Sequence, residues 1–332
     1  MTAAREGRGG PRVVALGGGH GLAASLSALR LVTRNLTAVV TVADDGGSSG
    51  RLRSEFDVLP PGDLRMALAA LCRSDQWGQT WSRALQHRFI SEGPLDGHAL
   101  GNLLIVTLWQ QMGEPVAALD WVGRLLGAQG RVLPMCSQPL GIRAHVRKER
   151  PGGGSTTCTV TGQAEVATTE GRVQSVELLP ADAPACPESV AAIRAADWVV
   201  LGPGSWFTSV IPHLLVPELC AAIVESRARK TVALNLAAQA GETAGFSPSE
   251  HLAVLAEHAP SLEVDAVVAD AEVTGDAGEL DKAAAALGAR LLLEHVGMRD
   301  GTARHDPRRL ANVYRALFTE VATNEEKAKG LS

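Results

Sequence analysis

Two apolar runs, joined by a glycine-rich turn and an amphipathic stretch, constrain the fold of this chain more than any other feature. RVVALGG (12–18) and LTAVVTVA (36–43) have the length and β-branched content of buried strands. Between them, GLAASLSALRLV (21–32) places Leu22, Leu26 and Leu29 on one helical face. A strand–helix–strand unit of this length closes as two parallel strands with a right-handed crossover.

The alternation returns in the second half of the chain. Helix PESVAAIRAA (187–196), strand DWVVL (197–201), helix VPELCAAIVESR (216–227) and strand TVALNLA (231–237) follow one another. Helix SPSEHLAVLAEHA (247–259), strand VDAVVAD (264–270), an alanine-rich helix near 278–288, strand RLLLEHV and a helix over 306–321 complete the series. The stretch 63–121 reads as mainly helical. Residues 131–180 differ: RVLPM, GIRAHV, TCTVTGQAEV and RVQSVELLP are short, β-rich and punctuated by turns. The expected fold is α/β, a mostly parallel sheet with helices on both faces and a β-rich insertion over 131–180. One domain is expected over 12–321, with a loose tail at 1–11 and a polar tail at 322–332.

In such sheets ligands bind outside the carboxyl ends of the strands, and four strand-end loops carry polar residues and glycine. GGGHGL (17–22) offers Gly18, Gly19, His20, Gly21 and the Leu22 backbone where a helix N-terminus presents free N–H groups to a phosphate. Read as Gly19-x-Gly21-x-x-Ala24 it fits a loose dinucleotide fingerprint, with Asp44 about 20 residues further on. VTVADDGGSSGRLR (40–53) ends a strand in Asp44 and Asp45, then supplies Gly46, Gly47, Ser48 and Ser49 as an anion nest, with Arg51 beside it. A magnesium ion would offset the paired carboxylates and bridge a diphosphate. LPPGDLR (59–65) puts Asp63 at a helix start, as an N-cap or a site residue.

LDGHALGNLL (95–104) spaces His98 and Asn102 for one face of a helix. VVLGPGSWFTSVIP (199–212) supplies Gly202, Pro203, Gly204, Ser205, Thr208 and Ser209 after one strand. LNLAAQAGET (234–243) supplies Asn235, Gln239, Glu242 and Thr243 after the next. Converging at one sheet edge, these loops make a single composite nucleotide or phosphate site. No GxSxG elbow, HExxH or GxxxxGK[ST] loop occurs, so no catalytic residue is assigned and no covalent cofactor is expected.

Composition removes other classes. With 31 basic against 36 acidic residues, the net charge of −5 gives no footprint for nucleic acid or an anionic membrane. The five cysteines fall in no CxxC pair, which argues for free thiols in a reducing, cytoplasmic setting. MTAAREGRGGP lacks the apolar core of a signal peptide, and no run approaches a membrane span.

In order, GGGHGL, TVADDGGSSGRLR, LPPGDLR, GHALGNLL, GRVLP, LGPGSWFTSVIP and AQAGET closely resemble the YvcK-type gluconeogenesis factors. These are relatives of the CofD 2-phospho-L-lactate transferases of deazaflavin-cofactor biosynthesis. The resemblance runs from about Arg12 to the final helix. It implies a Rossmann-like fold and a pocket for UDP-sugars, notably UDP-N-acetylglucosamine. It also implies a regulatory role linking central carbon metabolism to cell-wall synthesis and cell shape; envelope protein partners and a homo-oligomer, a dimer, are expected alongside it. In the transferase branch the residues matching Asp45 and Asp63 look like magnesium ligands, and a CofD-like magnesium-dependent transfer from a nucleoside-diphosphate-linked donor stays open as the alternative. The loop GGSSGRLR is that of the YvcK branch. His20 and Met66 depart from the usual GGGTGL and PPGDIRN, which puts ligand contacts at those two places in question.

Overall fold

The computed structural model describes residues 10–150, 153–239, 241–272 and 276–329. The expected N-terminal tail lies mostly outside them. The chain opens with β1 (Val13–Gly17), α1 (Gly19–Leu29) and β2 (Leu36–Val40). Five helices follow: α2 (Gly47–Phe56), α3 (Pro61–Leu71), α4 (Gln76–Gln86), α5 (Leu100–Met112) and α6 (Pro115–Leu126). Next come β3 (Arg131–Pro134), β4 (Gly141–Glu149), β5 (Ser155–Thr161), α7 (Gln163–Ala167) and β6 (Arg172–Leu179). The second α/β run begins with α8 (Pro187–Ala195), β7 (Trp198–Leu201), a π-helical turn (Trp206–Val210), α9 (Pro212–Leu215), α10 (Pro217–Glu225) and β8 (Arg229–Ala233). It ends with α11 (Pro248–His258), β9 (Ala266–Asp270), α12 (Ala277–Ala286), β10 (Arg290–Glu294) and α13 (Pro307–Lys329).

Seven strands form one parallel sheet in the order β10-β9-β8-β7-β1-β2-β3. Its central strands β1, β7 and β9 are buried along their whole length, which is why they read as apolar runs without alternation. The chain builds outward from β1 to β3, then returns to lay β7 against the other side of β1 and continues to β10. Connections therefore diverge between β1 and β7, the place where a doubly wound sheet opens a crevice.

Local signals set the helix limits. Proline stands in the first turn of α3, α6, α8, α10 and α11, where its missing N–H costs nothing. Ser247 and Glu250 make a reciprocal capping box on α11, and Gly113 and Gly127 end α5 and α6 in the left-handed region. α13 lies along α1, and Tyr314, fully buried, is 3.1 Å from Ser25 Oγ. Ser25 gives its own proton to the Gly202 carbonyl at 2.8 Å, so the Tyr314 hydroxyl donates to Ser25. α13 is thereby tied to the turn after β7.

The structure corrects three readings. Arg131–Pro134 is not part of the β-rich insertion but the edge strand of the main sheet, paired with β2. The insertion proper is the three-stranded antiparallel sheet β5-β4-β6 with α7 packed against it. The polar tail from 322 continues α13 as far as Lys329, with 330–332 outside the described residues. GGSSGRLR is not an open loop: Gly47 begins α2, with Gly46 as its cap residue.

Candidate functional site

Gly19 takes φ +56, which lets β1 turn straight into α1 without the clash a side chain would meet. Gly21 faces the turn after β7 so closely that a Cβ there would sit 2.3 Å from the Pro203 carbonyl oxygen and from Gly204 Cα. The two glycine loops thus meet backbone to backbone across the β1–β7 divergence. Asn235, at the end of β8, holds the second loop with both ends of its amide. Its Oδ1 accepts from the Gly204 N–H at 2.9 Å, and its Nδ2 donates to the Gly204 carbonyl at 2.8 Å. The first turn of α1 leaves the N–H groups of His20 and Gly21 without intrahelical partners, beside this junction. The His20 side chain is exposed, whereas Leu22 is core and its N–H bonds the Gly18 carbonyl. Leu22 therefore offers a ligand nothing, contrary to expectation.

Two carboxylates stand where the N-termini of α1, α2 and α3 converge. A Cβ at Gly18 would meet Asp63 Oδ2 at 2.4 Å, and one at Gly62 would meet Ser49 Oγ at 2.3 Å and Asp44 Oδ2 at 2.8 Å. The Asp63 carboxyl is pushed up to about 7, first by burial and then by the charge of Asp44. The Gly19 N–H and the nearby Arg65 guanidinium oppose that rise. Asp44 also accepts from the Gly46 N–H at 3.0 Å, which turns the chain from β2 into α2.

Asp45 points elsewhere. Its two oxygens accept from the Gln163 and Ala164 N–H groups at 3.0 and 2.9 Å, so it caps α7 of the insertion. The carboxylate beside Asp63 is therefore Asp44, not Asp45. Sequence proximity hid this, because two adjacent residues at a strand end diverge to opposite sides. Among the described residues no group of three or more His, Cys, Asp or Glu could by itself hold a metal. Asp44 and Asp63 are hard oxygen donors, and the Asp44 charge adds to the burial that raises the proton affinity of Asp63. Were a magnesium ion bound here, these two would hold it and it would offset their charge.

Ser48, His98 and Asn102 come together, but around one another. The Asn102 Nδ2 and the Ala99 N–H donate to Ser48 Oγ at 3.0 and 3.3 Å, which fills both lone pairs. The Ser48 proton then goes to His98 Nδ1 at 3.0 Å, leaving the His98 N–H on Nε2. Burial and the Arg51 charge lower the His98 pKa, consistent with the neutral ring this bond requires. His98 precedes α5 rather than sharing its face with Asn102, and the knot fastens α2 to the start of α5. Arg51 is likewise engaged, donating to the Asp96 and Pro94 carbonyls on the outer wall of a 1070 Å³ groove beside α2. A further cavity of 1340 Å³ opens at the amino ends of β7, β8 and β9, the opposite end of the sheet from these loops.

Beyond β8, Gln239 Nε2 donates to Ser205 Oγ at 3.1 Å, and the Gln239 N–H bonds Thr243 Oγ1 at 3.0 Å. Glu242 is almost wholly buried beneath this pair, and burial pushes its carboxyl up to about 7. Around it stand the Thr208 and Ser205 hydroxyls and the Trp206 and Thr208 N–H groups. The AQAGET stretch showed Glu242 only as a polar loop residue. Its burial was not legible, because the π-helical turn that covers it has no sequence signature in these terms.

A family model described as 2-phospho-L-lactate transferase CofD matches residues 13–299. A Mycobacterium tuberculosis protein named "Putative gluconeogenesis factor" is 54% identical over 304 residues, covering 91% of this chain and 88% of that one. The "Gluconeogenesis factor" of Listeria innocua is 34% identical and covers 96% and 98%. A crystal structure of a UPF0052 family member from Bacillus halodurans superposes with a TM-score of 0.81 at 34% identity, covering 92% of this chain and 98% of its own.

Proposed function

The chain belongs to the gluconeogenesis factor family and carries the CofD-type domain, and on that premise we propose that it is a nucleotide-sugar-binding regulatory protein. The observation that carries this reading is the junction of Gly21 with Pro203 and Gly204, beside the Asp44–Asp63 pair. A diphosphate needs close backbone approach, N–H donors from a helix N-terminus and an offset for its charge. The α1 and α2 first turns supply the donors, and magnesium held by Asp44 and Asp63 supplies the offset. The ligand is a UDP-sugar such as UDP-N-acetylglucosamine, and its level sets how the protein couples carbon supply to cell-wall synthesis and cell shape through protein partners.

The match to the CofD model favours one alternative, magnesium-dependent transfer from a nucleoside-diphosphate-linked donor. Calorimetric titration with UDP-N-acetylglucosamine and with GDP, each with and without magnesium, separates the two. The sensor reading expects selective, magnesium-assisted binding of the UDP-sugar and unchanged ligand after prolonged incubation. Preference for GDP, or consumption of the ligand, contradicts it.

A further inference from the structure

Six of the buried side-chain polar atoms without a hydrogen-bond partner belong to one small region. They are both carboxyl oxygens of Glu242, Thr208 Oγ1, Gln239 Oε1, Trp206 Nε1 and His251 Nε2. A buried polar group costs free energy unless paired, so a cluster of this kind marks a place where hydrogen bonds rearrange or a ligand completes them. At its solvent side stands Ser205, half-buried, next to Gly204 and hence next to the Gly21 junction.

Ser205 Oγ has one proton and two lone pairs. Gln239 Nε2 already donates to one lone pair. The remaining question is where the Ser205 proton goes. Glu242 stands among the Ser205 and Thr208 hydroxyls with neither carboxyl oxygen in a hydrogen bond of ordinary geometry, so a small rotation of the Ser205 side chain toward or away from it decides. As a carboxylate, Glu242 accepts that proton's hydrogen bond, and Ser205 turns only a lone pair outward. As a neutral acid, Glu242 donates to Ser205, whose own proton then points out of the turn. We propose that Glu242 is a positioning residue whose proton selects whether Ser205 donates to, or accepts from, a ligand at the β1–β7 junction. This deepens the nucleotide-sugar reading and rests on it: the anionic diphosphate prefers the donating state.

The ionisable groups on the elements around Glu242 do not account for such a switch. The π-helical turn carries none, and His213 of α9, which packs against that turn, is lowered to about 4 by burial and bonded through Nε2 to the Val39 carbonyl. From α11 come His251, lowered by burial and bonded through Nδ1 to the Ser247 carbonyl, and His258, bonded to the Val254 carbonyl. Also on α11, Glu250 is paired with Arg172 of β6, which itself lies over the Phe246 ring. From α7 comes Glu165, exposed toward solvent at the helix start.

The test is titration of UDP-N-acetylglucosamine, whose diphosphate does not change charge near neutrality, into wild type, Glu242→Gln and Ser205→Ala between pH 6 and 8. Titrated without magnesium, which sets aside the metal-linked contribution of Asp63, wild-type affinity is expected to fall relative to Glu242→Gln as pH rises, by up to about tenfold, the worth of one hydrogen bond. Glu242→Gln, whose amide N–H donates to Ser205 at any pH, should lose the Glu242 part of that slope and match wild type at pH 6. Ser205→Ala should bind weakly at both ends. A pH profile in Glu242→Gln equal to that of wild type overturns the inference alone. Absence of any binding overturns the nucleotide-sugar reading and this inference with it. Infrared difference spectra of wild type against Glu242→Gln should isolate a buried carboxyl band of Glu242, apart from that of Asp63, that titrates near neutrality. Ligand should shift its midpoint upward, and an unmoved midpoint contradicts the proposal.

Discussion

Asp44 and Asp45 are neighbours with unlike duties. Asp44 faces Asp63 and the helix N-termini, whereas Asp45 fastens the first turn of α7. Asp45→Ala should cost about 1 kcal/mol, the usual worth of such a cap, and leave ligand affinity unchanged in denaturation and calorimetry. Asp63→Asn should remove the magnesium effect on binding with little loss of stability, since it takes away a carboxyl held near neutrality by its surroundings. Equal effects of the two substitutions would contradict this division. Glu242 has a sign of its own. Its folded carboxyl titrates at about 7 against an ordinary 4.5, so the folded chain holds a proton that the unfolded chain has released. Its contribution is fully present below pH 4.5 and is lost as pH rises through 7, by on the order of 3 kcal/mol. Glu242→Gln should therefore raise stability more at pH 8 than at pH 5, measured by denaturant midpoints. A difference independent of pH would contradict that burial. The acids themselves were plain in the sequence; which of them meet was not, because that depends on the direction each leaves its strand.

At the scale of elements, the sequence carried the strands better than the loops between them. The run VVAL and its counterparts VVL and AVVA are apolar without alternation because parallel strands are covered on both faces. The stretch GGSSGRLR was harder. Glycine and serine read as loop, yet Ser48 and Ser49 are buried in the first turn of α2, held by the His98–Asn102 knot and by Gly62. Tertiary contacts override helix propensity there. His98 and Asn102 lie in the expected region, and there they engage Ser48 and brace α2. The glycine loops make the sharpest prediction at this scale. Gly21→Ala would improve helix propensity in α1, but its Cβ would strike the Pro203 carbonyl and Gly204 backbone. It should destabilise by about 2–4 kcal/mol and abolish nucleotide binding. Gly47→Ala, with nothing within 4 Å of its Cβ, should cost about 1–2 kcal/mol from its positive φ alone. Comparable losses at the two positions would show that the loops do not depend on close approach.

For the molecule as a whole, strand order does what no single motif does. Because the chain builds β2 and β3 on one side of β1 and β7 to β10 on the other, two glycine turns separated by more than half the chain's length become neighbours. The sequence could show four polar turns at strand ends, and topology explains why they share one place. It could not show that the insertion reaches back to α2 through Asp45, or that α13 is bolted to the Gly202 carbonyl through Ser25. Both ties join distant parts of the chain to the rim of the same crevice. The proposed function therefore turns on where the ligand sits. The most direct test is a crystal structure with UDP-N-acetylglucosamine and magnesium. The diphosphate should lie between the α1 N-terminus and the Gly204 turn, with the metal on Asp44 and Asp63. A ligand in the groove beside Arg51, or at the amino ends of the strands, would contradict it.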